Sequence, residues 1–468
     1  MPRTRILRPG AIAWDDLRAE LHVPAAFPPQ VLAEADAAAK APRLPDFDLT
    51  AMPFLTIDPA GSLDLDQAMC LERAGDGFTV HYAIADVAAF VTPGSALDAE
   101  THARGETSYF PDLRVPLHPP VLAEGAASLL PGAVRPAVVW SLGLDATGEL
   151  QTTEVRRARV SSKRRLEYVG VQAAIDDGSA DEQLMLLKEM GGLRLALARA
   201  RGAVDLPTPE QEVTDGPDGR PVLVYRAPVA SEAWNAQISL LTGIAAARLM
   251  IEGKVGLLRT LPPADEGSVA SIRRSALALG LSWPEATPYG DVISALDPTQ
   301  PAAAALLTLA TRLLRGAAYT AFDGTVPEQP LHSAVASVYA HCTAPLRRLA
   351  DRYVSEVCLA LCAGTPVPDW ARAALPELPA EMAAADKRAH EIDRAIVDLA
   401  EAVLLAPRIG ETFSAVVVES GPRGGVVQLT DPAVRARCEG LNPPLGETIQ
   451  VRLVTADVVG RKVSFSPV

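Results

Sequence analysis

Cysteine is scarce and unpatterned in this chain. Cys70, Cys342, Cys358, Cys362 and Cys438 are the only five in 468 residues. Their number is odd and no C-x-x-C pair occurs, which argues against a disulfide framework or a zinc ribbon and fits a reduced, cytoplasmic setting. Cys358 and Cys362, four apart in an apolar helical pattern, read as core packing. Long apolar runs are missing too. The most apolar window, 238–251, contains Arg248 and is too short to span a bilayer. The N-terminal Met1-Pro-Arg-Thr-Arg has no apolar run after its charges, so no signal peptide is expected. Positive charge is in deficit: 43 Lys and Arg against 57 Asp and Glu give a net charge of −14. A surface of that sign repels phosphates at long range, so any nucleic-acid contact must come from locally concentrated bases. Neither a low-complexity tract nor a clear internal repeat is present.

What is present is apolar substance: 49% of the residues are hydrophobic, enough for a large core and more than one domain. The first 45 residues hold two helical patterns, about 14–21 and 28–40, closed by Pro42 and Pro45. They read as a short helical segment of helix-turn-helix type. Residues 46–165 alternate short strands with turns. From 180 to 405 the pattern turns helical, over 182–200, 232–252, 301–319, 347–361 and 382–405. Strands followed by helices predict an α+β domain spanning 46–405. After Pro407, four short alternating segments (411–418, 425–430, 448–456 and 462–467) predict a small β-barrel of the OB type over 406–468. The stretch 408–468 carries seven bases against six acids, so it is less acidic than the body.

Chemistry concentrates in Thr56-Ile-Asp-Pro-Ala-Gly-Ser-Leu-Asp-Leu-Asp-Gln67. Asp58, Asp64 and Asp66 fall within nine residues, after an apolar run, 54–57, that reads as a strand. Carboxylates this close repel one another unless a cation sits among them. Oxygen ligands without a nearby Cys or His pair point to Mg²⁺ or Mn²⁺ rather than zinc. A polar loop of solvated acids is the plain alternative. A second concentration is Tyr339-Ala-His-Cys-Thr-Ala-Pro-Leu-Arg-Arg-Leu-Ala-Asp351. Pro345 can start a helix, which would place Arg347 and Arg348 in its first turn, where backbone N–H groups favour a phosphate. A surface ion-pair cluster with Asp351 is the alternative there. Arg156, Arg157, Arg159, Lys163, Arg164 and Arg165 put six bases into ten residues, either as a solvated face or as phosphate contacts along a channel.

The first segment resembles the signature of the ribonuclease II (RNB) family, in which an aspartate is followed at plus six, plus eight and plus nine by three more. Asp58, Asp64 and Asp66 match three of the four positions, and Gln67 stands at the last. The resemblance extends to a Y-x-x-x-T-S-P-I-R-[RK] motif at 339–348, with Ala344 for the usual Ser. It also covers V-x-x-G-S-x-L-D-x-E at 91–100, R-x-x-[ST]-x-Y-x-P at 104–111 and an R-G-A-[IL]-D turn at 201–205. It implies an RNB-type catalytic domain followed by an S1-like barrel, and a segment in front too short for the two cold-shock barrels that many members carry.

It further implies site roles. Asp58, Asp64 and Asp66, with Gln67 as a weaker neutral fourth ligand, would hold Mg²⁺. Arg347 would stabilise the transition state. Tyr109 would pack on the 3′-terminal base, and Tyr168 would lie near the RNA. Arg348, Arg164 and Arg165 would contact RNA, and Glu391 would read a ribose 2′-OH. Gln237, in 234–239, stands where an acid is usual. The activity implied is hydrolysis of single-stranded RNA from a free 3′ end to nucleoside 5′-monophosphates, by a monomer without a protein partner. Two other readings stay open: a catalytically weakened RNA-binding regulator or scaffold, in which Gln67 has lost a metal, and a D-x-D nucleotide-sugar transferase, which leaves the 339–351 motif without a role.

Overall fold

The computed structural model describes residues 14–468 apart from 25, 205, 207–209, 216–220, 227, 285, 299, 422–423, 430, 433 and 441–443. Met1, Arg3, Arg5 and Asp205, the last residue of the expected 201–205 turn, therefore lie outside the described residues. The main body is built on a six-stranded sheet in the order Leu150–Val160, Arg135–Leu144, Gly77–Ala85, Gln67–Ala74, Leu55–Asp58, Arg164–Glu167. Every pairing is antiparallel except the last, in which Leu55–Asp58 runs parallel to Arg164–Glu167.

Strand alternation sorts the sheet residues by size. Met69, Val80, Tyr82, Ile84, Val138, Trp140 and Leu142 point to one side, into a core shared with the helices Glu182–Ala200, Ala230–Gly253 and Leu349–Ala363. Ala68, Cys70, Ala83, Ala85, Ala137 and Ala158 point to the other, where Val31 and Ala35 of the helix Pro29–Lys40 pack with Phe90 and Leu122. The small side chains on that face let this short helix cover it closely.

The C-terminal unit is a closed barrel of Thr412–Glu419, Gly425–Leu429, Arg435–Cys438, Lys462–Pro467 and Thr448–Asp457. The sequence pattern anticipates four of these strands and misses Arg435–Cys438, whose four residues are too short to show alternation. The predicted 301–319 helix is also cut short: Pro301–Ala310 is helical, Thr311–Leu314 is a 3-10 turn and Ala318–Asp323 is a strand paired with Val255–Thr260. The two N-terminal helices join different cores. Trp14 and Leu17 of Trp14–Glu20 belong to the barrel's apolar cluster, while Pro29–Lys40 sits on the sheet. The front of the chain is thus not one helix-turn-helix body. Among the described residues no helix is long and apolar enough to cross a membrane.

Candidate active site

Asp58 ends the strand Leu55–Asp58, and the register Thr56↔Arg165, Asp58↔Glu167 sets Arg165 and the following Tyr168 beside it. Asp64 and Asp66 lie in the loop to the next strand. That loop is pinned by Ser128, whose Oγ accepts from Leu65 N at 2.9 Å and donates to Leu63 O at 2.6 Å, and by Ala85 N donating to Asp66 O at 2.9 Å. Asp66 is buried, and its Oδ1 accepts from Leu346 N at 2.7 Å.

The 344–348 turn is thereby bound directly to the acid loop, and Arg347 Nε lies 3.4 Å from Asp66 Oδ2. Other ties fix the same turn. Ala344 N donates to Asp351 Oδ1 at 2.7 Å, Thr107 N to Arg347 O at 3.0 Å and Leu349 N to Gly105 O at 2.9 Å. Two glycines permit the approach. A Cβ on Gly243 would lie 2.2 Å from the Tyr339 ring, and Gly105, at φ +71°, would meet the Ala385 Cβ at 2.6 Å. Gly243 thus lets its helix lie against Tyr339 and Ala340 of the motif, and Gly105 lets the chain that accepts from Leu349 pass close to the helix Leu378–Leu405.

A small hairpin closes the site. Ser108–Tyr109 pairs with Arg114–Val115, with Tyr109 opposite Arg114. Tyr109 lies within the electrostatic reach of Arg347, Asp64, Asp66 and Arg114, while burial raises its phenol above the usual range. On the other side the Tyr168 hydroxyl accepts from Asn235 Nδ2 at 3.1 Å, and burial followed by the charge of Asp58 raises it likewise. The structure thus brings Asp58, Asp64, Asp66, Arg347, Arg165, Tyr109 and Tyr168 to one place.

Asp58 Oδ2 is buried without a hydrogen-bond partner. Burial, and then the charge of Asp64, pushes the Asp58 carboxyl up to about 7, against the pull of Arg347 and Arg165. Burial pushes Asp66 up to about 8, against Arg347 and the Leu346 amide. Enclosed carboxyls with an orphaned oxygen and no soft donor fit a hard divalent cation. The ligand cage is nevertheless not assembled: among the described residues no group of three or more His, Cys, Asp or Glu side chains could hold a metal ion. Arg114 engages one of the acids. Its Nη1 donates to Asp64 Oδ1, and its Nη2 donates to Glu124 Oε1 at 3.1 Å, so Asp64 is held by an internal cation. Arg114 and Glu124 escape sequence reasoning because a lone Arg between apolar residues has no signature of its own.

Four sequence expectations need correction. Gln67, expected as a fourth metal ligand, is committed elsewhere: its Nε2 donates to Thr343 O at 2.5 Å and its Oε1 accepts from Tyr82 Oη at 2.7 Å. It cross-links the sheet to the Arg347 motif. Arg347 and Arg348 do not sit in a helical first turn, because the helix begins at Leu349 and Arg348 is its extended N-cap at φ −138°, ψ 125°. Nor is Arg348 free for RNA, since Nε and Nη2 grip both oxygens of Asp351 at 2.9 and 2.8 Å. Glu391 points to solvent and lies 3.8 Å from Lys387. On the same helix Asp386 instead pairs with Arg259 of the strand Val255–Thr260, at 3.0 Å.

The basic run is largely neutralised in the fold. Arg157 pairs with Asp86 and Glu356, Arg159 with Asp48, and Arg164 with Asp181 at 2.6 Å. Arg156 pairs with Glu154, and Lys163 donates to Thr50 O. Arg165 is the member that faces the acids. Gln237 is buried on the helix Ala230–Gly253, where Asn235 rather than Gln237 reaches Tyr168.

Gln67→Asp should therefore destabilise the protein rather than improve a metal site. It removes the donor to the Thr343 carbonyl and sets a carboxylate against that oxygen, at a cost of about 2–4 kcal/mol. Denaturant unfolding of both forms measures this, and a variant as stable as the parent would show that the cross-link contributes nothing.

A family model described as the RNB domain matches residues 47–363. The chain belongs to the RNB family. A second model, the RNase II-type exonuclease C-terminal S1 domain, matches residues 411–468, the closed barrel. Among curated proteins, the chain is 26% identical over 479 residues to Ribonuclease R of Escherichia coli, covering 92% of this chain and 58% of that protein. It thus spans a little over half the length of that relative. The apo form of Mycoplasma genitalium RNase R matches with a TM-score of 0.86 at 19% identity, over 97% of this chain and 77% of that one. The same enzyme in complex with double-stranded RNA matches with a TM-score of 0.83 at 21% identity, over 97% and 82%. These structures share the fold of this chain.

Proposed function

We propose that this chain is a Mg²⁺-dependent exoribonuclease that hydrolyses single-stranded RNA from a free 3′ end and releases nucleoside 5′-monophosphates. The observation that carries the reading is the buried Asp58 Oδ2, without a hydrogen-bond partner, within the electrostatic reach of Asp64 and Arg347. Family membership and the relatives named ribonuclease R support the same activity.

In this reading Asp58, Asp64 and Asp66 would hold the cation, and Arg114, which contacts Asp64 and Glu124, would lie beside it. When bound, the cation polarises the phosphate and acidifies a water. Tyr109 and Tyr168 flank the 3′-terminal nucleotide and fix the strand end. Arg347 binds the scissile phosphate and takes up the charge that develops as water attacks in line and the bond to the 3′ oxygen breaks. The 5′ phosphate leaves on the released nucleotide, and the shortened strand regains a 3′-OH.

The direct test is digestion of a 5′-labelled oligoribonucleotide with Mg²⁺ and with a chelator. A ladder shortening from the 3′ end together with 5′-monophosphates supports the reading. RNA binding without hydrolysis at saturating Mg²⁺ or Mn²⁺ would instead establish the non-catalytic relative.

The raised carboxyls make a further prediction about metal and pH. Folded Asp58 and Asp66 hold their protons up to about 7 and 8, whereas an unfolded aspartate releases its proton near 4. Across that window the folded state binds more protons than the unfolded chain, so the metal-free protein loses stability as pH rises through it. Mg²⁺ competes with those protons. The Mg²⁺-induced rise in Tm should thus be larger at about pH 8 than at about pH 6, because fewer protons must be displaced. An equal rise at both would remove these carboxyls from the metal site.

A further inference from the structure

The last turn of the helix Trp14–Glu20 makes two paired guanidinium–carboxylate contacts of opposite polarity. Arg18, itself buried, donates Nη1 and Nη2 to the two oxygens of Asp112 at 2.7 and 2.9 Å, with its guanidinium 5.2 Å from the centre of the Phe110 ring. Two residues on, Glu20 accepts from Nη1 and Nη2 of Arg461 at 2.6 and 2.7 Å. Asp112 lies in the tip of the hairpin whose strands carry Tyr109 and Arg114 into the acid cluster. Arg461 lies in the turn between the barrel strands Thr448–Asp457 and Lys462–Pro467. Trp14 and Leu17 share one apolar cluster with Phe110 and Val115 of the hairpin, Ile392 and Ile396 of the long helix, and the barrel core around Phe413 and Phe465.

The hairpin needs such support. It has two residues in each strand, too few to hold a fixed shape alone. Planar guanidinium–carboxylate forks fix direction as well as distance, which a single lysine contact does not.

We propose that this helix is a brace that sets the position of the Tyr109–Arg114 hairpin relative to the barrel, and that Arg18 is a positioning residue for RNA hydrolysis. Arg18 touches neither substrate nor metal ligands; it acts through Asp112. This inference rests on the exoribonuclease reading for its catalytic consequence, but the bracing can be measured without turnover.

The experiment uses the full chain with Arg18→Ala, Asp112→Ala and the double variant, and reads hydrogen exchange over 108–115 together with kcat and KM on single-stranded RNA. The expected result is faster exchange confined to the hairpin. With it, kcat should fall about tenfold to a hundredfold, the scale on which small misplacement slows an oriented reaction. KM should stay within about twofold, and the double variant should be no worse than Arg18→Ala, which already removes the contact to Asp112 along with that to Asp15. Arg18→Lys should recover part of kcat. Unchanged exchange at 108–115 would overturn the brace, as would additive losses in the double variant. Faster exchange with unchanged kcat would overturn the positioning role. A wild-type chain inactive on RNA would sink the exoribonuclease reading, while the exchange arm would still decide the brace. Asp112 is exposed at the hairpin tip, so its variant keeps the test open if loss of the buried Arg18 impairs folding.

Discussion

Asp66→Asn should lower hydrolysis by at least about a thousandfold while leaving RNA affinity within a few-fold, the loss expected when a preorganised charge at the reacting phosphate is removed. Asp66 sits between the two halves of the site: Oδ1 accepts from Leu346 N, and Oδ2 faces Arg347. An asparagine oxygen can still accept from Leu346, so the turn carrying Arg347 stays docked. The groups proposed to hold RNA, Tyr109, Tyr168 and Arg347, are unaltered. Folding should not suffer either. Asp66 ionises only with difficulty in its buried place, so near pH 8 a neutral amide should match or exceed the parent in Tm. Single-turnover cleavage and equilibrium binding of the same labelled RNA separate these effects. Turnover comparable to the parent at saturating Mg²⁺ would remove Asp66 from the metal site, and a parallel loss of RNA binding would make its role architectural.

How far the site could be read beforehand depended on the distance between interacting residues along the chain. The acids were legible because Asp58, Asp64 and Asp66 lie within nine residues, and a strand followed by a turn carries them in any fold. Arg347 was legible from its motif, but its backbone was not: Pro345 opens a turn, and the helix waits until Leu349. The basic run misled because its partners are remote. Arg157 meets Asp86 and Glu356, 71 and 199 residues away, and no local pattern announces such pairs. Glu391 failed on phase. Adjacent helix positions differ by about 100°, and position 391 falls on the solvent side of its helix. Among acidic neighbours Gln67 resembles a weaker, neutral ligand, yet it begins the strand Gln67–Ala74 and its amide points at Thr343 and Tyr82. The weakened-site reading rested on that residue, and its two hydrogen bonds give it a different task.

Arg347→Ala should reduce kcat by about a hundredfold to a thousandfold, the scale of losing one preorganised group that stabilises transition-state charge. It should also move the acid limb of the pH–rate profile. Arg347 opposes the burial that raises Asp58 and Asp66, so without it both carboxyls hold their protons to higher pH. Metal ligands must be deprotonated, and the variant should therefore need more alkaline conditions to reach its own maximum. Arg347→Lys separates the two effects. A lysine ammonium in the same turn restores the field on the carboxyls and returns the pH limb towards that of the parent. It lacks the planar fork that matches two phosphate oxygens, so most of the rate should stay lost. The turn should survive both substitutions, since the ties to Asp66 and Thr107 use the backbone of Leu346 and Arg347. The measurement is kcat against pH for the three proteins at saturating Mg²⁺ and RNA. A lowered rate with an unmoved acid limb in Arg347→Ala would mean that Arg347 acts on the substrate alone. An unmoved rate would end its assignment to the transition state.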